Sequence, residues 1–534
     1  MVSLLHQVLS ENAAKTPDKD AVIFQSDKIS YAELERESNR LAHCLLELGV
    51  TRGARIGIHL NRSITSLTAA FGIMKAGATY VPVDPLIPPG RLSYIVNKCG
   101  ISSLLTVREK LANIGQIFPS GSPLESIVVM NGVASDTASL GAARLCDWPK
   151  VRGSVKDEAP SVNTIDADLA YILFTSGSTG NPKGVMLSHL NSLTFVNTAH
   201  DFFRITPEDR FSNICPLHFD MSVVDLFVAF KAGATVVIIP ETTAVFPVKL
   251  AELIDKNRIS VWNSVPSALS LLASYKNLEA HDLSSLRLIL FAGEQFPLKY
   301  LRRLQQLIPQ ARFCNMYGQT EANSSTYFWV DPLPADAKAS LPIGKPLPNF
   351  DVFALDEQGK RITGPGQEGE LYVRASTVAA GYWGEPEKTE KAFVKNPLNP
   401  DVGERVYKTG DLVHLDAGGN YVFLGRKDHM IKSRGYRIEI GEIETVLCSH
   451  QDITNAVVIP IPDEMIGNRI AALIVPAAPG KITREDVLQY CAQQLPKYMI
   501  PEIIEFRDSL PSTSSGKIDR KQLSDIGMKS FPQQ

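Results

Sequence analysis

Apolar residues recur at three- and four-residue spacing along YAELERESNRLAHCLLELG and LSYIVNKCG, the mark of amphipathic helices. Between such stretches lie short apolar runs rich in β-branched residues: AVIF, RIGIHL, ISSLLTV, SIVVM, ATVVIIP and LRLILFAG. Runs of this kind suit parallel strands covered by helices on both faces. The alternation therefore predicts an α/β fold with mostly parallel sheets packed with helices. From about Gly344 the texture changes. DVFALDEQGKRI, GELYVR and GNYVFLG read as hairpin strands joined by Gly-rich turns, which predicts a smaller β-rich subdomain over about 344–427. After Gly425 comes the charged stretch RKDHMIKSRG, and then mixed helix and strand patterns to the end. That places a boundary near Asp428, between a large N-terminal core (1–427) and a small α+β C-terminal domain (428–534). The chain shows no low-complexity tract and no internal repeat.

At 534 residues the chain is too long for one hydrophobic core, in keeping with several subdomains. A net charge of −3 gives no reason to expect nucleic acid or an anionic membrane as partner. The seven cysteines include no C-x-x-C pair, which argues against a disulfide framework or a zinc site and fits a reducing compartment. The opening residues lack a basic stretch followed by a long apolar one, and no apolar run reaches bilayer length. The expected location is cytoplasmic.

Candidate chemistry begins with FTSGSTGNPKG, residues 174–184, which follows the apolar run LAYILF. A run of Thr, Ser and Gly offers many N–H and hydroxyl groups to phosphate oxygens, and Gly allows close approach. Against the pattern G-x-x-x-x-G-K-[ST], Gly177 and Lys183 fit but Pro182 and Gly184 do not. A flexible surface linker is the alternative. The buried strand before the loop and the cation that ends it favour phosphate binding.

TSGSTGNPKG resembles the phosphate loop of the AMP-forming adenylating superfamily, which includes acyl-CoA synthetases, luciferases and the adenylation domains of nonribosomal peptide synthetases. The rest of that family's pattern occurs in the same order. YGQTE (317–321) resembles its adenine- and magnesium-binding turn, and YKTGDL (407–412) its ribose-binding segment. GRKDHMIKSRG (425–435) resembles its hinge, and SSGKIDR (514–520) its catalytic-lysine loop. The resemblance covers essentially the whole chain. It departs in small ways, with Gln319 where Pro is common and SSGKIDR where NGK is frequent.

The resemblance implies that a carboxylate and ATP give an acyl-adenylate and pyrophosphate. Such a transition state gathers charge on the α-phosphoryl oxygens, where cations and N–H donors must converge. On this basis Thr175, Ser176, Gly177, Ser178, Thr179, Gly180 and Lys183 hold the leaving phosphates. Thr320 donates to the α-phosphate, and Glu321 holds Mg²⁺. Tyr317 and Gly318 lie by the adenine. Asp411 takes the ribose hydroxyls, with Arg426 nearby. Lys517, on a polar loop, reaches carboxylate and α-phosphate during adenylation. The C-terminal domain then rotates about Asp428, bringing Lys432 to Gly435 against the site and opening a path for a thiol. Each residue taken alone has a duller reading, as a turn, a helix cap or a solvated charge; the joint order carries the functional one.

AGATYVPVDP and HFDMSVVDLF are closer to the amino-acid-activating branch, where the Asp matching Asp220 binds the substrate ammonium. An Asp buried ahead of an apolar stretch is costly without a cation, although capping the following helix is the plain alternative. Carrying over the remaining pocket positions gives Met221, Val224, Asn263, Leu290, Ala292, Met316, Ser324 and Ser325. Besides Asp220 and Lys517 that set holds no charge, so a neutral small-to-medium amino acid is expected; α, β and imino acids stay open. No LGG-x-S carrier motif follows Lys517 and no HH-x-x-x-DG condensation motif occurs. The expected acceptor is the phosphopantetheine thiol of a separate carrier protein. A ligase using free CoA is the alternative, and an inactive nucleotide-binding scaffold the remote one.

Overall fold

The structure is a computed structural model that describes residues 2–118, 123–132, 143–177, 180–334, 340–428, 430–511 and 523. Ser178, Thr179 and Lys517 lie outside the described residues. Among the described residues, two large sheets dominate the first three-quarters of the chain. A nine-stranded sheet has a parallel centre built from Leu288–Ala292, Val261–Ser264, Arg210–Asn213, Thr235–Ile238 and Asp20–Phe24, with antiparallel strands at its edges. An eight-stranded sheet has Thr79–Pro82, Arg55–Ile58, Ser103–Thr106 and Ser126–Val129 as its parallel centre.

The predicted apolar runs form these strands because they can be buried on both faces. Leu288–Ala292 and Thr235–Ile238 are buried at every position. The helix Tyr31–Glu47 starts where Ser30 and Glu33 form a reciprocal capping box, which satisfies two N–H groups left over at the helix start. The helix Ile64–Lys75 is buried along nearly its whole length, as a helix apolar on all sides must be. Both helices and the facing sides of both sheets share one apolar cluster, which includes Leu41, Phe71, Tyr171, Phe211 and Phe230.

A third sheet contains Asp351–Leu355, Glu368–Arg374, Arg405–Leu415, Phe393–Lys395 and Tyr421–Arg426. It is the β-rich region read from the sequence. Arg405–Leu415 and Tyr421–Arg426 pair so that Asp411 stands opposite Arg426. Beyond it, Met430–Ser433 and Tyr436–Glu439 form a hairpin that leads into the helix Ile440–Cys448. The strands Ile453–Asp463, Gly467–Pro476 and Ile503–Phe506 then make a small sheet. This last region has its own core around Ile438, Ile443, Val458, Ile474 and Met499. Among the described residues no helix is long and apolar enough to cross a membrane.

Candidate active site

The glycine loop leaves the strand Leu169–Thr175 and returns directly as the antiparallel strand Lys183–Ser188. A Walker-type loop opens a helix instead, so Pro182 and Gly184 mark a different construction rather than a damaged one. A Cβ on Gly177 would meet the Asn181 carbonyl oxygen at 2.1 Å, so only glycine closes this turn. The Thr175 hydroxyl is buried without a partner among the described residues, a donor left for an incoming oxygen. Lys183 lies 3.1 Å from Glu321 and donates to the Tyr382 hydroxyl at 2.9 Å. Burial and the neighbouring Arg437 hold the Lys183 amine below its ordinary pKa.

Glu321 is fully buried and accepts from Tyr382 at 2.8 Å and from Arg437 at 3.1 Å and 3.2 Å. Burial alone would raise its carboxyl, but Arg437 and Lys183 outweigh it and hold the group well below the carboxylate range. It is thus a carboxylate built to carry cations. No cluster of three or more candidate ligands occurs among the described residues. A Mg²⁺ at Glu321 therefore fits as a nucleotide-borne ion whose shell is completed by phosphates and water.

Asp411 is buried and already engaged. Tyr317 donates its hydroxyl to it, Gln319 donates at 2.7 Å, and Arg426 donates from the neighbouring strand. Gln319 also donates to the Tyr317 hydroxyl at 2.6 Å, so the residue that departs from the family's common Pro ties the YGQTE turn to the YKTGDL strand. Arg426 grips Asp428 at 2.6 Å and 2.7 Å.

Asp220, Met221, Val224 and Ala292 line one cavity together with Gly318, Thr320 and Ser324. Asp411, Arg426, Lys432 and Gly435 close its other side. An adjoining wider cavity of about 840 Å³ takes in Met316, Tyr317 and Asp428. Leu290, Ser325 and Asn263 are buried and line neither cavity. Asp220 accepts from the Thr320 hydroxyl at 2.8 Å, and burial raises its carboxyl above the ordinary range. Phe195, Phe219 and Asn323 also line the pocket. Phe219 was readable as the neighbour of Asp220; Phe195, on the helix His189–Phe203, carries no sequence signal.

The C-terminal hairpin lies directly on this site. Arg434 and Gly435 both take positive φ (50° and 79°), as its two-residue turn demands. A Cβ on Gly435 would meet Val265 at 2.3 Å, and the Gly435 N–H donates to Glu294. Beyond the turn, Arg437 reaches Glu321, its backbone carbonyl accepts from Ser176 Oγ at 2.7 Å, and Glu442 accepts from the Gly177 N–H at 3.2 Å. Arg437, Glu442, Glu294 and Tyr382 were missed in the sequence, because nothing local separates them from ordinary strand and helix-start residues.

Two sheets sharing one core, a strand-to-strand glycine loop and a small hairpin-led domain define the class of adenylating enzymes. Residues 9–383 match the AMP-binding enzyme family and residues 442–517 the AMP-binding enzyme C-terminal domain. The chain belongs to this family and is an AMP-forming ligase that uses ATP and Mg²⁺. It is 37% identical to an L-proline--[L-prolyl-carrier protein] ligase of Pseudomonas fluorescens, over 97% of this chain and 98% of that protein. Identity to tyrocidine synthase 1 of Brevibacillus parabrevis is 33% over 97% of this chain, which spans 44% of that protein. The fold resembles the Vibrio cholerae adenylation domain AlmE in complex with glycyl-adenosine-5'-phosphate, with a TM-score of 0.82 at 23% identity and coverage of 99% and 98%.

Proposed function

We propose that the chain adenylates a small neutral amino acid, with proline the first candidate, and passes the aminoacyl group to the phosphopantetheine thiol of a carrier protein. The observation that carries this reading is Asp220. It is a half-buried carboxylate on the cavity wall, flanked by Phe219 and Met221 and beside the Thr320 hydroxyl that the family pattern assigns to the α-phosphate. A carboxylate so placed suits an ammonium or imino nitrogen on a substrate whose carboxylate points to the nucleotide. The 37% identical relative named for proline adds the choice of first substrate.

In the first half-reaction the substrate carboxylate oxygen attacks the α-phosphorus and pyrophosphate leaves. Mg²⁺, when bound at Glu321, offsets phosphate charge. Thr175, Ser176, Gly177, Gly180 and Lys183 hold the leaving group by their place on the loop, with Ser178 and Thr179 assigned by the family pattern. Asp411 releases some of its present partners to accept the ribose hydroxyls. Lys517 acts at the reacting oxygens on the strength of the family pattern.

The arrangement of the hairpin supports the second half-reaction as the one this conformation serves. Arg437 fills the cation's place at Glu321, and Glu442 fills an anion's place at the Gly177 N–H. Both would collide in role with metal-bound pyrophosphate. The closed hairpin therefore follows pyrophosphate release, with Asp428 as the pivot. The thiol sulfur then attacks the aminoacyl carbonyl carbon and AMP departs.

ATP–pyrophosphate exchange across a panel of α-, β- and imino acids tests the first step, with mass spectrometry of carrier proteins for the second. Amino-acid-dependent exchange that survives Asp220→Ala would favour a plain carboxylic acid. Thioester formation with free CoA and no carrier would favour the CoA-ligase alternative.

A further inference from the structure

The loop that carries Asp220 is held by a buried polar network that the proposed chemistry does not use. At its centre is Asp225, fully buried in the short π-helical turn Val224–Val228. Asp225 Oδ1 accepts from Asn263 Nδ2 at 2.6 Å. Its Oδ2 accepts from Asn213 Nδ2 at 3.1 Å and from the Cys215 N–H at 3.4 Å. Asn263 Nδ2 also donates to the Met221 carbonyl at 3.3 Å, and Asn213 Nδ2 to the Cys215 carbonyl at 3.0 Å. The loop is therefore tied at its start, in its middle and at its end. The anchors are two strands of the parallel sheet, Arg210–Asn213 and Val261–Ser264.

We infer that Asp225 is a positioning residue for the amino-acid site, and that Asn263 serves this brace rather than the substrate side chain. Asp225 touches neither cavity, whereas its neighbour Val224 and the residues Phe219 to Met221 form a wall of the substrate pocket. π-Helical turns are rare and occur mostly at functional sites. This one turns Asp225 towards the sheet while Val224 faces the pocket. An unpaired carboxylate at this depth would be costly, so the two asparagines and the Cys215 N–H are its solvation. The consequence for specificity is direct. A change at Asn263 alone disturbs the position of Asp220 before it alters the shape of the pocket.

The inference rests on Asp220 as the nitrogen-binding group, and the test separates the two. Asp225→Asn keeps an acceptor for one side only and sets its new amide N–H₂ against a buried donor. The amino-acid KM in ATP–pyrophosphate exchange is expected to rise about 5- to 100-fold, the cost of leaving a buried donor unsatisfied, with the ATP KM nearly unchanged. Adding Asn263→Asp restores the 225–263 pair, because the amide N–H₂ at 225 then faces a carboxylate while its oxygen serves Asn213 and Cys215; the donation to the Met221 carbonyl is not restored. Part of the KM is therefore expected to return. Asn213→Ala, which removes one donor to Asp225 and the partner of the Cys215 carbonyl but sets no donor against another, gives a smaller rise with the same split should the first variant fold poorly. Amino-acid and ATP KM values rising together, or no rescue by the second substitution, would overturn the inference. Asp220→Ala measured alongside reads the other claim: no rise there sinks the ammonium assignment, while rescue between 225 and 263 still reports on the brace.

Discussion

Arg437→Ala is the sharpest probe of the closed hairpin. In the structure this guanidinium makes two charge-assisted contacts to buried Glu321, at 3.1 Å and 3.2 Å. Breaking a buried pair by removing one partner costs about 3–5 kcal/mol when the other charge is left alone. Here Glu321 keeps Lys183 at 3.1 Å and the Tyr382 hydroxyl at 2.8 Å, so the loss falls at or below the low end. A value of about 2–3 kcal/mol corresponds to about 30- to 150-fold in the population of the closed orientation. The adenylating orientation does not contain this contact in our reading, so the two half-reactions should separate. ATP–pyrophosphate exchange should stay within about threefold of the parent protein on this argument. Single-turnover transfer from preformed aminoacyl-adenylate to a carrier thiol should fall by the full factor. Equal losses in both assays, or undiminished transfer, would refute the reasoning that Arg437 stands in for the metal at Glu321.

Other outcomes follow from the same site. Lys517→Ala should lower pyrophosphate exchange about 10²- to 10³-fold, as for other transition-state donors, while leaving transfer from preformed adenylate nearly intact. Asp428→Pro should slow thioester formation far more than exchange, because it stiffens the proposed pivot and removes the carboxylate that Arg426 grips at 2.6 Å and 2.7 Å. Burial raises the Asp220 carboxyl, and nitrogen binding requires its ionised form. The amino-acid KM should therefore climb as pH falls, beginning above the usual carboxylate range near about 4, with the ATP KM flat. A pH profile of exchange at low amino-acid concentration checks this, and Asp220→Asn should flatten it.

Much of the architecture was legible because its strands are short apolar runs that need burial on both faces. Thr235–Ile238 and Leu288–Ala292, read from ATVVIIP and LRLILFAG, are buried at every position. The motifs were legible for a different reason: phosphate and ribose chemistry needs particular groups in a particular order, and Lys183, Thr320, Glu321 and Asp411 stand in that order. Of the pocket positions that the family resemblance suggested, Asp220, Val224 and Ala292 line the cavity. Asn263, whose amide meets Asp225, and Leu290 and Ser325, which are sealed in the sheets, line neither cavity.

What the sequence alone determined is therefore the class of chemistry, the strands that carry it and the polar groups available to it. Tertiary structure decided which of those groups meet. Glu321 and Arg437 are 116 residues apart, Gly177 and Glu442 are 265 apart, and no local pattern ties either pair. Their contact depends on how the C-terminal hairpin lies on the loop and strands of the site, through ion pairs, backbone hydrogen bonds and the packing of Gly435 on Val265, none of which the apolar periodicity of a single element encodes.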